Sequence, residues 1–254
     1  MLYAEDGQYF LADWINRPGI GLLFEPYAGY QHFVPQVLSG AVRWIFPAPL
    51  WGLALTFSAC AVVSGIALAV YAIARSRRLS IPVSAAVAAI PVLLPLARLE
   101  AIGSVANLHW YFGYLMFWLL LFVPRNRRQA VAAGTAAAVA VLTEPQAMFL
   151  LPLVLMVVLR YRRASIPVVA GWVVGCVGQG LTVASFLGIR PYSFDDERSA
   201  FYGYLVNVVG TDISMRGTRL STAVATFGWL GLSLMTVLVL CAVAAAAVLA
   251  ALGR

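Results

Sequence analysis

Seven apolar stretches, separated by short polar segments, constrain what this chain can fold into more than any other feature. A transmembrane α-helix needs about 20 apolar residues, and most of the stretches are near that length. The chain is 62% hydrophobic and 11% charged, whereas soluble domains carry about 25% charged residues. So few charges cannot cover a water-facing surface, which excludes a soluble enzyme and a nucleic-acid-binding module. The stretches are residues 51–74, 81–97, 106–124, 129–143, 146–159, 166–188 and 223–252.

The charges are distributed in a way that predicts the topology. All 17 basic residues are arginines, and clusters of them follow the first, third and fifth stretches. Arginines in short loops mark the cytoplasmic side of a membrane. All 10 acidic residues fall in the opposite set of segments. We therefore predict an all-α, polytopic bundle of about seven spans, a single membrane domain over 1–254, with acidic loops outward. The clusters are Arg75/Arg77/Arg78, Arg125/Arg127/Arg128 and Arg160/Arg162/Arg163.

The outward N-terminal region, residues 1–50, contains a predicted interfacial helix. Residues 30–46 place apolar side chains near one helical face, with Trp and Tyr available as interfacial anchors. Proline and glycine break the segment before it, and a second outward loop covers 189–222. The apolar face consists of Phe33, Val37, Ala41, Trp44 and Ile45.

The stretches 129–143 and 146–159 are unusually short for membrane spans. Each rises about 20–23 Å as a helix, against a hydrocarbon core about 30 Å thick. The Thr143-Glu144-Pro145 tip between them is therefore expected below the outer surface. A recessed carboxylate needs a partner or a water-filled cavity, which makes Glu144 a candidate functional residue. The alternative is a helix-end carboxylate in an ordinary aqueous turn.

Glu5 and Asp6 are the candidate catalytic residues. One of two adjacent carboxylates can act as general base for an acceptor hydroxyl while the other positions it or a metal ion. An acidic, frayed N-terminus explains the same pair without any function.

The candidate binding residues lie near the outward ends of the spans. His109, with Asn107 beside it, is suited to a phosphate or a sugar hydroxyl, or is simply an interfacial histidine beside Trp110. Arg98 is suited to a lipid phosphate, although a pair with Glu100 explains it as well. His32, on the interfacial helix, carries a weaker signal. The sequence has no phosphate-binding loop, nucleophile elbow or metal-ligand cluster.

The layout resembles the GT-C glycosyltransferases, multispanning enzymes that use polyprenyl-phosphate sugars. Members of that superfamily carry an acidic pair at the start of the first outward loop, and Glu5 and Asp6 match it. The stretch Pro26–Pro35 (PYAGYQHFVP) is similar to a loop of uncharacterised bacterial members. The resemblance implies inverting transfer of a sugar from a lipid phosphate to an acceptor hydroxyl on the outer face. A carboxylate takes the proton, and Arg or His stabilises the departing phosphate.

The same resemblance implies the partners and the cofactor requirement. The partners are a lipid-linked sugar donor and membrane lipids, with no nucleic acid. No cofactor is required, although some relatives use a divalent cation.

One departure from the family pattern is that only Met1-Leu2-Tyr3-Ala4 precede the acidic pair, where the family has a transmembrane helix. We therefore expect Met1 to be a late start or a fragment boundary. Two alternative functions remain open: a transporter or flippase of a lipid-linked envelope intermediate, and a non-catalytic, truncated membrane protein. A carrier places polar groups along the middle of its spans, whereas here they gather at the outer ends.

Overall fold

The computed structural model describes residues 5–27, 29–93 and 102–187. The last apolar stretch, the loop 189–222, Arg98 and Glu100 lie outside the described residues. Within them the chain is predominantly α-helical, and the prediction of an all-α fold is confirmed. The α-helices are α1 (Ala12–Asn16), α2 (Phe33–Ile45), α3 (Trp51–Ser76), α4 (Ile81–Leu93), α5 (Leu108–Leu121), α6 (Arg127–Thr143), α7 (Leu151–Tyr161) and α8 (Ile166–Leu187).

The N-terminal region is more ordered than its glycines and prolines suggest. A π-helical segment, Asp6–Leu11, continues directly into α1, and a 3₁₀-helix covers Ile20–Phe24. A short antiparallel hairpin follows, in which β1 (Pro26–Tyr27) pairs with β2 (Tyr30–Gln31). Gly29 occupies the turn at φ 95°, a conformation that glycine adopts without steric cost. The hairpin delivers the chain directly to the start of α2.

In the described part of the chain, two helical stretches are long and apolar enough to cross a membrane: residues 48–76, with 29 residues, and 145–185, with 41. They support association with a membrane. The second contains the 3₁₀-helix Pro145–Leu150, α7, the 3₁₀-helix Arg162–Ser165 and α8. α4 and α5 have 13 and 14 residues, fewer than the roughly 20 of a full span. The prediction of seven spans is therefore not confirmed.

α6 and α8 pack closely because glycines face the partner helix. A Cβ atom on Gly171 would lie 1.9 Å from the carbonyl oxygen of Gly134, and one on Gly175 would lie 2.4 Å from Cβ of Val141. Residue numbers rise together along the contact, so the two helices run parallel. Small residues let helix backbones approach this closely, which is typical of helix pairs in membranes.

The arginine-rich ends of α3 and α7 meet. The Arg77 guanidinium lies over the ring of Tyr161, 5.1 Å from its centroid, and donates a hydrogen bond to its hydroxyl. Arg77 follows α3 and Tyr161 ends α7. Two of the three arginine clusters therefore lie at the same end of the helices.

α2 buries two polar side chains and exposes several large apolar ones. Its buried residues include Gln36 and Ser39, at 3% and 0% exposure, whereas Trp44 and Ile45 are 67% and 71% exposed. Gln36 is held by the Trp14 indole, which donates to its backbone carbonyl (2.9 Å) and to its side-chain oxygen (3.1 Å). The apolar face that the sequence predicts thus points away from the rest of the protein.

The α6–α8 contact predicts a strong difference between two glycines of α8. Gly171→Ala places a methyl group against a backbone carbonyl and is expected to lower the free energy of unfolding by about 1–3 kcal/mol. Gly180→Ala meets nothing within 4 Å and is expected to be neutral or to stabilise by up to about 1 kcal/mol, because alanine favours helix. Thermal unfolding of both variants in detergent measures the difference; equal stabilities would contradict this packing.

Candidate functional site

A histidine–carboxylate pair forms the centre of the polar end of the helices. His109 is in the first turn of α5, and Glu144 directly follows α6. Nδ1 of His109 lies 2.6 Å from Oε2 of Glu144, and the side chains are 12% and 3% exposed. Such a short contact is characteristic of a charge-assisted hydrogen bond. The carboxylate therefore fixes the imidazole with its proton on Nδ1 and leaves Nε2 for a ligand.

Local structure holds Glu144 in position from two sides. Its other oxygen, Oε1, accepts a hydrogen bond of 2.7 Å from the backbone amide of Gln146, so the side chain also caps the 3₁₀-helix that begins at Pro145. Gly113, one turn after His109 on α5, faces the carboxylate. A Cβ atom there would lie 3.2 Å from Cγ of Glu144. The recessed acid thus has the partner that its sequence position requires.

His32 is the second histidine of the cluster, and it is buried at 2% exposure. Its ring lies 5.5 Å from that of His109 and 4.4 Å from that of Tyr30. Neither ring nitrogen has a hydrogen-bond partner among the described residues. Burial, and then the neighbouring His109, lower the pKa of His32 to about 3. His32 is therefore a neutral imidazole with two unused hydrogen-bonding atoms.

The tyrosines of the hairpin connect the exposed acid Glu5 to this cluster. The ring of Tyr27 lies 5.1 Å from that of His32, and burial together with the charge and hydrogen bonding of Glu5 raises the pKa of Tyr27. Burial raises the pKa of Tyr30 to about 12, with further contributions from the charges of Glu144, Tyr27 and Glu5. Both tyrosines stay neutral, and both carboxylates act on Tyr30. Glu5 itself is exposed.

Asp6 has a different environment from Glu5. It is 2% exposed, and its Oδ1 accepts hydrogen bonds from the hydroxyl of Ser104 (3.0 Å) and the amide of Ala106 (2.9 Å). Its Oδ2 accepts from the amide of Val105 (3.1 Å). Burial raises the pKa of Asp6, and these three hydrogen bonds oppose the rise. Asp6 thus fastens the N-terminal helix to the segment before α5, which excludes a frayed N-terminus at this residue.

Asn107 belongs to the same segment. Its side-chain amide donates to the hydroxyl of Ser104 at 3.4 Å, the hydroxyl that in turn donates to Asp6. Asn107 also precedes α5 as its N-cap. The carboxylate of Asp6, through residues 104–107, therefore sets where α5 begins and where His109 is held.

Gln179 of α8 ties the hairpin to the helices. Its side-chain oxygen accepts from the backbone amide of Gln31 (3.0 Å), and its side-chain nitrogen donates to the carbonyls of Gln31 (2.9 Å) and Val141 (3.0 Å). The amide side chain pairs with Gln31 as a neighbouring strand would. Because Gln31 immediately precedes His32, Gln179 positions that histidine.

The structure brings together most of the residues singled out in the sequence. His32, His109 and Glu144 form one cluster, Glu5 reaches it through the tyrosines, and Asp6 with Asn107 supports it. Arg98 lies outside the described residues. Sequence reasoning missed Tyr27, Tyr30, Ser104 and Gln179. Tyr27 and Tyr30 lie within the Pro26–Pro35 stretch, and its similarity to a loop of GT-C proteins is the one sequence feature that could have indicated them.

Among residues 5–27, 29–93 and 102–187, no group of three or more His, Cys, Asp or Glu side chains is arranged to hold a metal ion. No protein-family model, curated protein or solved structure matches the chain.

The burial of His32 predicts a specific pH dependence of stability. Its folded-state pKa of about 3 is below the ordinary value of about 6.5. The unfolded chain therefore binds a proton first, so stability is complete above about pH 6.5 and is lost as the pH falls toward 3. The variant His32→Phe keeps an aromatic ring but cannot be protonated. Between pH 7 and pH 4 we expect its free energy of unfolding to fall by about 3 kcal/mol less than that of the wild type.

Denaturant unfolding followed by tryptophan fluorescence at several pH values measures this difference. The His32→Phe protein retains every other titrating group, so comparison with the wild type isolates His32. Parallel stability profiles for the two proteins would show that His32 is not buried in its neutral form.

Proposed function

We propose that this chain is a membrane glycosyltransferase of the GT-C type, which transfers a sugar from a polyprenyl-phosphate donor to an acceptor hydroxyl. The observation that carries the proposal is the 2.6 Å pair between His109 and Glu144. It lies in a cluster that an exposed carboxylate reaches and that also contains a neutral histidine, whose ring nitrogens have no hydrogen-bond partner in the described part of the chain. Transfer of a glycosyl group from phosphate needs a proton acceptor, a group for the departing phosphate and hydrogen-bonding groups for the sugar.

The roles follow from exposure and charge. Glu5 is the exposed acid and takes the proton of the acceptor hydroxyl as its oxygen attacks the anomeric carbon. The bond from that carbon to the phosphate oxygen breaks, and its electron pair leaves with the phosphate. The imidazolium form of His109, with Nδ1 held by Glu144, donates a hydrogen bond from Nε2 to the phosphate as its charge grows. His32 hydrogen-bonds a sugar hydroxyl as a neutral group.

Asp6 acts in this proposal as a positioning residue rather than a proton acceptor. Among the described residues, its hydrogen-bonding partners are all groups of residues 104–106, and the side chain is 2% exposed. Asp6→Asn replaces an acceptor oxygen with a donor. We expect it to lower kcat without shifting the pH–rate profile, since the titrating groups at the reaction centre remain.

The proposed location is the cell membrane, which the chain crosses several times. The arginine clusters are on the cytoplasmic side and the His109–Glu144 cluster is on the outer side. The meeting of Arg77 with Tyr161 supports a common end for two of the clusters. The exposed apolar face of α2 supports a helix lying in the membrane interface. There Trp44 and Ile45 contact lipid, whereas in water their exposure would be unfavourable.

Conservative variants test the proposed chemistry. In membranes supplied with a radiolabelled polyprenyl-phosphate sugar, Glu5→Gln and Glu144→Gln are expected to lower the transfer rate by about 10²–10⁴-fold. Glu25→Gln is a matched control, because the Glu25 side chain is 44% exposed and pairs only with Arg17 among the described residues. It should keep full activity at equal amounts of protein in the membrane. Full activity of both Glu5→Gln and Glu144→Gln would overturn the proposal.

The transporter alternative makes a different prediction in the same membranes. A flippase moves the lipid-linked sugar between leaflets without releasing the polyprenyl phosphate. Appearance of radiolabel in a glycan, with stoichiometric release of the lipid phosphate, distinguishes transfer from transport.

The orientation has its own test. In a chain whose natural cysteines are replaced by alanine, a cysteine at Glu25 is expected to react with an impermeant maleimide added to intact cells. A cysteine at Arg128, at the arginine-rich start of α6, is expected to react only after the cells are opened. The reverse pattern would invert the topology.

A further inference from the structure

The arginine-rich end of the helices carries charge that no described side chain balances. The three arginine clusters together contain nine exposed arginines, and none of them forms an ion pair with any of the five acids in the described part of the chain. Four of those acids lie in the N-terminal region, and Glu144 pairs with His109. The nine are Arg75, Arg77, Arg78, Arg125, Arg127, Arg128, Arg160, Arg162 and Arg163.

Contacts between the turns keep part of this charge in a fixed arrangement. Arg75 donates a hydrogen bond to the carbonyl of Leu79, and Arg77 lies over the ring of Tyr161. The turn after α3 is thereby held beside the turn after α7. The guanidinium groups of Arg78 and Arg162 have no protein partner among the described residues.

Arg78 and Arg162 also occupy backbone positions that suit glycine. The amide of Leu79 donates to the carbonyl of Ala74 (3.2 Å) and that of Arg78 to the carbonyl of Arg75 (3.0 Å). This is the Schellman ending of a helix, in which the left-handed residue is usually glycine. Here that residue is Arg78, at φ 65°. Arg162, the residue directly after α7, has φ 48° and ψ −117°, another conformation that glycine prefers.

Neither the backbone nor a described partner accounts for a long cationic side chain at these two positions. Strained residues that the fold maintains are frequently functional. Guanidinium groups bind phosphate through two parallel hydrogen bonds. The guanidinium groups of Arg78 and Arg162 are therefore suited to binding a phosphate.

The surface beside the arginines indicates which phosphate compound fits. On α7, within the five residues before Arg160, Leu155, Met156 and Leu159 are 56%, 52% and 79% exposed. A ligand that covers both this apolar surface and the guanidinium groups carries hydrocarbon chains and an anionic headgroup. A free phosphate ion leaves the apolar part uncovered.

We propose that the turns after α3 and α7, with Arg78 and Arg162 at their centre, form a binding site for the phosphate headgroup of an anionic phospholipid. The guanidinium groups bind the phosphate, and the exposed face of α7 contacts the acyl chains. The site is at the opposite end of the helices from His109 and Glu144 and does not depend on the proposed transferase activity.

The test is titration of the detergent-solubilised protein with phosphatidylglycerol, with bound lipid counted by native mass spectrometry. A Lys or Arg near a lipid surface contributes about 1 kcal/mol, which corresponds to about a fivefold change in affinity per residue. We therefore expect Arg78→Gly and Arg162→Gly each to weaken binding about fivefold. Glycine adopts these backbone conformations without strain, so weaker binding would not result from a damaged fold. Unfolding temperatures at or above the wild-type value check that the fold is intact.

Two controls separate the possible sources of the effect. Arg17→Gly removes an arginine from the opposite end, and its affinity for phosphatidylglycerol is expected to equal that of the wild type. Phosphatidylcholine and inorganic phosphate are each expected to bind much more weakly than phosphatidylglycerol.

Unchanged lipid affinity in both Arg78→Gly and Arg162→Gly would overturn the proposed site. If inorganic phosphate raises the unfolding temperature as much as phosphatidylglycerol does, the ligand of the site is a free anion and the proposed lipid is wrong. A loss of transferase activity without a change in lipid binding concerns only the proposed function.

Discussion

The backbone contact between α6 and α8 determines the arrangement of the polar end. Gly134 and Gly171 allow the two helices to run parallel at a distance that any side chain between them prevents. Gln179, two turns further along α8, then bonds to Val141 on α6 and to both backbone groups of Gln31. An unpaired amide buried in an apolar environment costs several kcal/mol, on the order of 2–7. The hairpin is therefore held in one register, with His32 directly after it.

The site is built from buried polar side chains, each of which needs a hydrogen-bonding partner within the protein. Glu144 is 3% exposed and needs the imidazole of His109, because an isolated buried carboxylate is far more costly than a paired one. Asp6 is in the same situation and is satisfied by the hydroxyl and amides of residues 104–106. Each acid thus fixes a different part of α5, one before its first turn and the other within it. The imidazole between them has little freedom to move.

Sequence reasoning went furthest where a single physical rule acts along the chain. Within the described residues, the apolar stretches correspond to helices because backbone groups away from water must be paired within the helix itself. Glu144 is identifiable because a recessed acid requires a partner, but nothing in the sequence names His109, 35 residues earlier. The sequence does not show that Glu5 is exposed and Asp6 buried, since adjacent residues on a helix point in different directions. Tyr30, Ser104 and Gln179 are ordinary polar residues until the fold brings them together.

The sequence by itself determined that this chain is helical and apolar, and that its arginines and acids are segregated, because hydropathy and charge are properties of each residue wherever it lies. Only the tertiary structure decided which groups pair with the buried acids Asp6 and Glu144. Those pairs join residues 35 to 100 positions apart, and their geometry depends on helix crossings fixed by glycine contacts at atomic distances. Charge patterns along a chain carry no record of such crossings, so the histidine–carboxylate centre exists only in the folded protein.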